Sequence, residues 1–98
     1  MYQYENAFGY LIQEQHSFTK DRFSWWTIKQ EAESGKLPTL ERFTKTISRR
    51  KLYHDKKLIV HCYSLKYHAA HSVYVKNGYY YDSNNHDDWL VVCFDVFA

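Results

Sequence analysis

The sequence predicts an α+β fold with a leading extended segment, two helices, and then an antiparallel sheet of three to four strands. Three observations indicate this class. Two β-rich runs within residues 71–82 flank Asn77-Gly78, a pair that suits the two-residue turn of a β-hairpin. Two apolar runs, residues 58–64 and 89–97, have the length and composition of central strands. Earlier in the chain, apolar residues recur instead at helical spacing.

Length and composition favour a single domain over residues 1–98. A chain of 98 residues can bury one modest core, and ten Tyr, six Phe and three Trp supply large apolar area for it. No apolar run reaches the length of a membrane span, and the start of the chain lacks a signal-peptide pattern. We therefore expect a soluble, cytoplasmic protein without a membrane partner.

The leading segment covers residues 1–18 and gives mixed signals. Aromatic and aliphatic residues alternate with polar ones, which is typical of an extended chain. We interpret it as an extended segment or a strand at the sheet edge, with a short helix over residues 8–15 as the alternative.

The first predicted helix ends near Ser34, where Gly35 suits the left-handed geometry of a helix C-terminus. Thr19 or Asp21 is its predicted N-cap. One stripe of this helix carries three apolar residues that we expect to face the core: Trp25, Ile28 and Ala32. Two aromatic residues project from another side and are candidates for contact with a partner: Phe23 and Trp26.

A second helix is predicted over residues 40–52, with Thr39 as its N-cap after the break at Pro38. Its inward stripe consists of Leu40, Phe43 and Ile47. Its outward side carries cations that could bind nucleic acid or an acidic partner: Arg42, Lys45, Arg49 and Arg50. Cations at a helix C-terminus also complement the helix dipole, a role that needs no ligand.

Charge is distributed unevenly along the chain. Eight of the 13 Lys and Arg residues lie in residues 36–57, whereas neither type occurs after Lys76. Such a basic region can attract phosphate groups or an acidic protein, although a solvated charged surface is the commoner explanation.

A type I′ turn at residues 77–78 fixes the hairpin register by pairing Lys76 with Tyr79, and side chains then divide between two faces. We expect the more apolar face to join the core; it carries His71, Val73, Val75, Tyr80, Asp82 and Asn84. We expect the other face to remain outside and to contact a partner, because interfaces are enriched in Tyr. This outer face carries Tyr74, Lys76, Tyr79 and Tyr81.

The same register predicts that His71 faces Asn84 and that Asp82 lies on the same face. The run HSVYV, the turn and YYYDSN resemble the histidine and Asn/Asp strands of papain-like cysteine peptidases and transglutaminases. The resemblance covers residues 70–84 and implies catalytic roles for His71, Asp82 and Asn84. Those families also place a nucleophilic Cys at the start of a helix, where this chain has Ser24. The sequence thus favours a degenerate relative over an active peptidase.

Residues 26–50 resemble a helix-turn-helix, because a helix, a short turn and a basic helix follow one another, and the hairpin would form a wing. This resemblance implies that Arg42, Lys45 and Arg49 contact bases and phosphates. The turn is one residue shorter than the usual pattern.

Cysteine and histidine positions predict neither a disulfide framework nor a metal site. Cys62 and Cys93 lie in predicted strands and are expected to be free buried thiols, with a disulfide between neighbouring strands as the alternative. No pair has the spacing of a reliable metal motif among His61, Cys62, His68, His71 and His86. We therefore expect no metal and no cofactor.

Together these features favour a small protein-binding module, either an interaction protein or an inhibitor, without enzyme activity. The aromatic outer face and the uneven charge indicate a protein partner. Small accessory proteins of phages and mobile elements often have this character. Nucleic-acid binding through the basic helix at residues 40–52 is the alternative function.

Overall fold

The computed structural model describes residues 4–5, 11–48, 50, 53 and 55–97. These residues form two helices and one antiparallel sheet, which confirms the α+β class. The strands are Tyr4–Glu5 (β1), Leu11–Ser17 (β2), Lys57–Ser64 (β3), Ala69–Lys76 (β4), Tyr79–Tyr81 (β5) and Leu90–Phe97 (β6). The helices are Trp25–Glu33 (α1) and Leu40–Ser48 (α2).

Within the described residues the sheet has six strands in the order β1-β2-β6-β3-β4-β5, so the prediction of three to four strands is too low. The leading segment accounts for the difference, because β2 pairs with β6 and β1 pairs with β2. The alternative of a helix over residues 8–15 is wrong for residues 11–15, which belong to β2, and residues 8–10 lie outside the described residues. The two long apolar strands, β3 and β6, pair with each other and are central, as predicted.

The hairpin between β4 and β5 has the predicted turn and register. Asn77 and Gly78 adopt φ values of 54° and 80°, the left-handed values that a type I′ turn requires. The paired residues are Lys76 with Tyr79, Val75 with Tyr80, and Tyr74 with Tyr81. Pairing stops there, so the predicted pairing of His71 with Asn84 does not form, and Asp82 instead begins a loop.

The larger core lies between α2 and one face of the sheet. The inward stripe of α2 is the predicted one: Leu40, Phe43 and Ile47. It packs on buried strand residues that share this face: Leu58, Val60, Cys62, Val73, Val75, Val91, Phe94 and Val96. Thr39 caps α2 by accepting a hydrogen bond from the Arg42 backbone N–H at 3.2 Å.

The other helix, α1, packs on the opposite face. Ile28 and Ala32 form a second cluster with Tyr63, whereas the neighbouring residue Cys62 belongs to the α2 cluster. Since successive side chains of a strand point to opposite faces, the two helices lie on opposite sides of the sheet. This arrangement differs from a helix-turn-helix, in which both helices belong to one packed unit beside the turn.

The start of α1 differs from the prediction. Ser24 is the N-cap, and its hydroxyl accepts a hydrogen bond from the Thr27 N–H at 3.2 Å. Asp21 instead closes a preceding turn, in which its side chain accepts from the Phe23 N–H at 3.0 Å. Trp25 consequently stands in the first turn and is 59% exposed, so its predicted core position is wrong.

The described part of α2 ends at Ser48, and positions 49, 51 and 52 of the predicted helix lie outside the described residues. Each helix has nine described residues. In this part of the chain no helix is both long enough and apolar enough to cross a membrane.

Candidate functional site

On the sheet face opposite α2, α1 packs over only one end. The rest of that face therefore forms a broad surface. We call the remainder the open face. Strand alternation assigns these described residues to it: Ile59, His61, Ala70, Ser72, Tyr74, Lys76, Tyr79 and Tyr81. Tyr79 and Tyr81 are 71% and 59% exposed, and the Tyr81 ring contacts the Tyr74 ring with centroids 5.6 Å apart. The tyrosines that the sequence indicated for partner contact therefore lie together on one exposed face.

Aromatic residues at the start of α1 extend the open face. Phe23 and Trp25 are both exposed and line a cavity of about 310 Å³ whose floor includes Tyr63. Trp26 is also exposed, but it lies two residues before the buried Ile28 and so points to the outer side of α1. Of the two predicted candidates on this helix, Phe23 borders the open face and Trp26 does not.

A row of polar side chains crosses the open face beside this cavity. His61 Nδ1 lies 2.9 Å from Ser72 Oγ, and His61 Nε2 lies 3.1 Å from Asp95 Oδ2. On its other side Asp95 faces the Arg22 guanidinium at 3.6 Å, and the Asp95 side chain is almost fully buried. Sequence reasoning missed this row because its members come from separate strands and a loop. The fixed cation beside Asp95 is typical of a structural polar network, and the network holds Arg22 next to the aromatic residues.

On the α2 side of the sheet, two histidines and one aspartate converge. This histidine cluster consists of His71, Asp82 and His86. His71 Nε2 lies 2.5 Å from Asp82 Oδ2, and His86 Nδ1 lies 3.2 Å from the same oxygen. The two imidazole rings stack with centroids 4.4 Å apart. The hydrogen bond with His71 lowers the pKa of Asp82 below its ordinary value, so the carboxyl is ionised at neutral pH.

The histidine cluster contains the predicted pair of His71 and Asp82. The side chain of Asn84, which was also expected there, does not contribute to it. The backbone N–H of Asn84 donates to Asp82 Oδ1 at 3.3 Å, which closes a turn within the loop. His86 completes the cluster and was not predicted. The sequence does show that His86 follows Asp82 by four residues in the same loop. That spacing alone does not predict that the loop brings His86 back against His71 of β4.

A cysteine does lie next to His71, since Cys62 of β3 is its partner in the strand register. Burial raises the pKa of the Cys62 thiol to about 12, which is the opposite of an activated nucleophile. Ser24, at the helix position where the peptidases carry their Cys, belongs to α1 on the other face of the sheet. Among the described residues, the geometry therefore supplies the histidine and the aspartate of the resemblance without its nucleophile.

The basic residues of α2 lie away from the open face. Arg42 and Arg50 are exposed, Lys45 pairs with Glu41 at 3.0 Å, and Arg49 lies outside the described residues. The two arginines border a groove of about 400 Å³ between β2 and α2. Aromatic side chains in its wall include Phe18, Phe43, Tyr53 and Phe94.

Comparisons of the chain with protein-family models, with curated proteins and with solved structures found no match. A functional assignment consequently depends on the surfaces and side-chain clusters of this chain.

Proposed function

We propose that this protein binds another protein through the open face, extended by Phe23 and Trp25. The observation that carries the proposal is the alignment of five aromatic side chains along one side of the sheet: Phe23, Trp25, Tyr74, Tyr79 and Tyr81. Aromatic residues are enriched at the centres of protein interfaces, where they supply most of the binding energy. Binding that covers a functional surface of the partner would make this protein an inhibitor or an adaptor.

The size of the surface supports this proposal. An aromatic side chain buries roughly 150–250 Å², so five of them provide an area on the order of the 800 Å² that a standard interface takes from each partner. Ala70 and Ser72 lie between the two aromatic groups and are exposed. Because both side chains are small, a partner can approach the strands closely between the aromatic anchors.

The distribution of charge favours a protein over nucleic acid on this face. Sheets with exposed aromatic residues also bind single-stranded nucleic acids, but that mode requires cations along the path of the backbone. Most Lys and Arg residues lie in residues 36–57, a segment that includes α2 on the opposite side. Near the aromatic cluster, Arg22 is already paired with Asp95, and Lys76 lies at the hairpin end of the open face, opposite Tyr79.

The proposal is tested by capture of partners from a lysate of the native host with matched variants. The double variant Phe23→Ser/Tyr81→Ser removes one anchor from each end of the open face. The control Trp26→Ser/Tyr67→Ser removes two aromatic residues of similar exposure elsewhere, since Trp26 and Tyr67 are 68% and 62% exposed. We expect a protein that wild type and control both retain and that the open-face variant loses by at least about tenfold, because anchor residues govern dissociation.

Thermal melts of all three proteins establish that the substitutions leave the fold intact. Equal retention by the open-face variant and the control would contradict the proposal, as would selective loss in the control.

Nucleic-acid binding through α2 is the competing function, and a gel shift with duplex DNA or single-stranded RNA at about 0.15 M salt tests it. The triple variant Arg42→Ala/Lys45→Ala/Arg49→Ala removes the basic row and leaves the inward stripe of α2 unchanged. A tight wild-type shift that the triple variant loses, together with about two to three units of log–log salt slope, would replace the protein-binding proposal. We expect no shift for either protein.

A further inference from the structure

The histidine cluster has the composition and convergence of a metal site. The ligand atoms of His71, Asp82 and His86 all lie within 4.8 Å of one another. Asp82 and His86 are nearly buried, with 13% and 12% of their side chains exposed, while His71 is 39% exposed. His71 therefore gives the cluster its main access to solvent.

The distances approach those of a tetrahedral site, and binding requires one imidazole to turn out of the stacked arrangement, because an ion lies in the plane of each imidazole that binds it. With metal–ligand distances of roughly 2.0–2.1 Å, neighbouring ligand atoms are about 3.3 Å apart. The separation of 3.2 Å between His86 Nδ1 and Asp82 Oδ2 already has this value. The separation of 2.5 Å between His71 Nε2 and Asp82 Oδ2 is that of a hydrogen bond and must widen when an ion replaces the shared proton.

Hydrogen bonds around the cluster fix the orientation of its ligands. The Asn84 N–H holds Asp82 Oδ1, which leaves Oδ2 directed at both imidazoles. The Tyr80 hydroxyl accepts from the His86 N–H at 3.1 Å and donates to Asp87 Oδ1 at 2.6 Å. Such second-layer contacts commonly orient the residues that bind a metal.

The loop that carries His86 is also anchored to the body of the protein. The backbone N–H groups of Leu40 and Glu41, at the start of α2, donate to the carbonyls of Trp89 and Asp87 at 2.7 and 3.1 Å. The Trp89 ring packs edge-on against the rings of His71 and His86, with centroids 6.0 and 4.8 Å away. His86 is therefore held opposite β4 before any ion arrives.

We propose that His71, Asp82 and His86 bind a divalent first-row transition metal ion, with Zn²⁺ as the leading candidate. Two imidazoles and one carboxylate suit Zn²⁺ and its neighbours in the series, whereas Ca²⁺ and Mg²⁺ prefer ligand sets composed of oxygen. Three protein ligands leave a fourth position for water or for a group from a partner. The site lies on the α2 side of the sheet and is independent of the open face, so metal binding and partner binding can succeed or fail separately.

The competing explanation is a cluster held by protons alone, in which the His71 imidazole donates to Asp82 and His86 Nδ1 donates to the Asn84 carbonyl at 3.1 Å. A metal ion replaces those protons, so titration of the full chain with ZnCl₂ in a non-chelating buffer distinguishes the two. Asp82→Asn and His86→Ala each remove one ligand. The matched controls are Asp88→Asn, an exposed carboxylate of the same loop, and His68→Asn, an exposed histidine whose φ of 49° Asn tolerates.

We expect calorimetry to show one Zn²⁺ per chain for the wild type, at least about tenfold weaker binding for either ligand variant, and a change within about twofold for the controls. Zn²⁺ should also raise the melting temperature of the wild type and of both controls. If His86→Ala does not fold, the nearly isosteric Asp82→Asn decides the result.

Two outcomes overturn the proposal: no stoichiometric Zn²⁺ binding by the wild type, or equal weakening by ligand and control variants. A third comes from Co²⁺, which reports its ligands through its visible spectrum. Thiolate charge-transfer bands in the Co²⁺ spectrum would place the ion on Cys62 or Cys93 and contradict the assignment to the histidine cluster.

Discussion

Cys62 and His71 are partners in the register of β3 and β4, yet their side chains serve different parts of the molecule. The Cys62 thiol is buried in the core beneath α2, whereas the His71 imidazole contacts Asp82, His86 and Trp89. Its place in the register makes Cys62 the cysteine beside the histidine of the peptidase resemblance. Burial decides against a nucleophilic role, because a thiol that remains protonated attacks carbonyl groups poorly.

The Cys62 thiol should resist modification in the native protein. Its pKa of about 12 leaves far less thiolate at pH 8 than an ordinary cysteine has, and burial blocks the reagent as well. We expect Cys62 to react with a disulfide reagent at least about 100-fold more slowly in the folded protein than in denaturant. The measurement is the labelling rate at several pH values, with the modified residue identified by mass spectrometry. Native labelling of Cys62 at the rate of an exposed thiol would contradict the packing described for β3.

The histidine cluster shows how far residue-level prediction reaches. The proximity of His71 to Asp82 could be predicted because a tight turn of known register places both residues on one face of the hairpin, even though the predicted cross-strand partner of His71 was Asn84. His86 could not, because its position depends on a loop whose course is fixed by distant contacts, including the bond from Glu41 to the Asp87 carbonyl. No local pattern in the sequence reports such contacts.

At the scale of elements, the hairpin was predicted well and the first helix was not. Alternation and turn chemistry agree within the hairpin, so its register and its outer tyrosines followed directly from the sequence. The sequence predicted Thr19 or Asp21 as the N-cap of α1, whereas Ser24, which is chemically as good a cap, has that role. The structure uses Asp21 for a turn and Ser24 for the cap, which exposes Trp25 and enlarges the aromatic surface.

The turn at Asn77-Gly78 should contribute to the stability of the fold, whether or not it contacts a partner. Gly78→Val places a β-branched residue at a φ of 80°, a strained conformation. We expect a loss in the free energy of unfolding of at least about 1 kcal/mol, measured by chemical denaturation. Asn77→Gly keeps φ accessible at the neighbouring position and serves as the control. An unchanged stability of Gly78→Val would show that the left-handed turn is absent in solution.

At the scale of the whole molecule, the sheet separates three surfaces. The α2 side carries the basic residues and the histidine cluster, and the opposite side carries the open face. The sequence indicated the basic helix and the tyrosines separately. It did not indicate that the helices lie on opposite sides, because this depends on the long-range pairing of β2 with β6 and on which strand residues each helix covers. That arrangement is what separates the open face from the basic residues of α2.

Photo-crosslinking from single positions tests the central claim most directly. A photoreactive p-benzoylphenylalanine in place of Tyr81 lies on the open face, and the same residue in place of Tyr67 lies on the turn between β3 and β4. Position 67 is a matched control for position 81, because the two tyrosines have similar exposed fractions of 62% and 59%. Illumination in host lysate is followed by detection of adducts and identification of the linked protein.

The proposal predicts a discrete adduct from position 81, with the same protein that the wild type captures, and none from position 67. A partner interface that buries the open face places its atoms within reach of residue 81 alone. An adduct of that protein from position 67 with none from position 81 would contradict the assignment of binding to the open face.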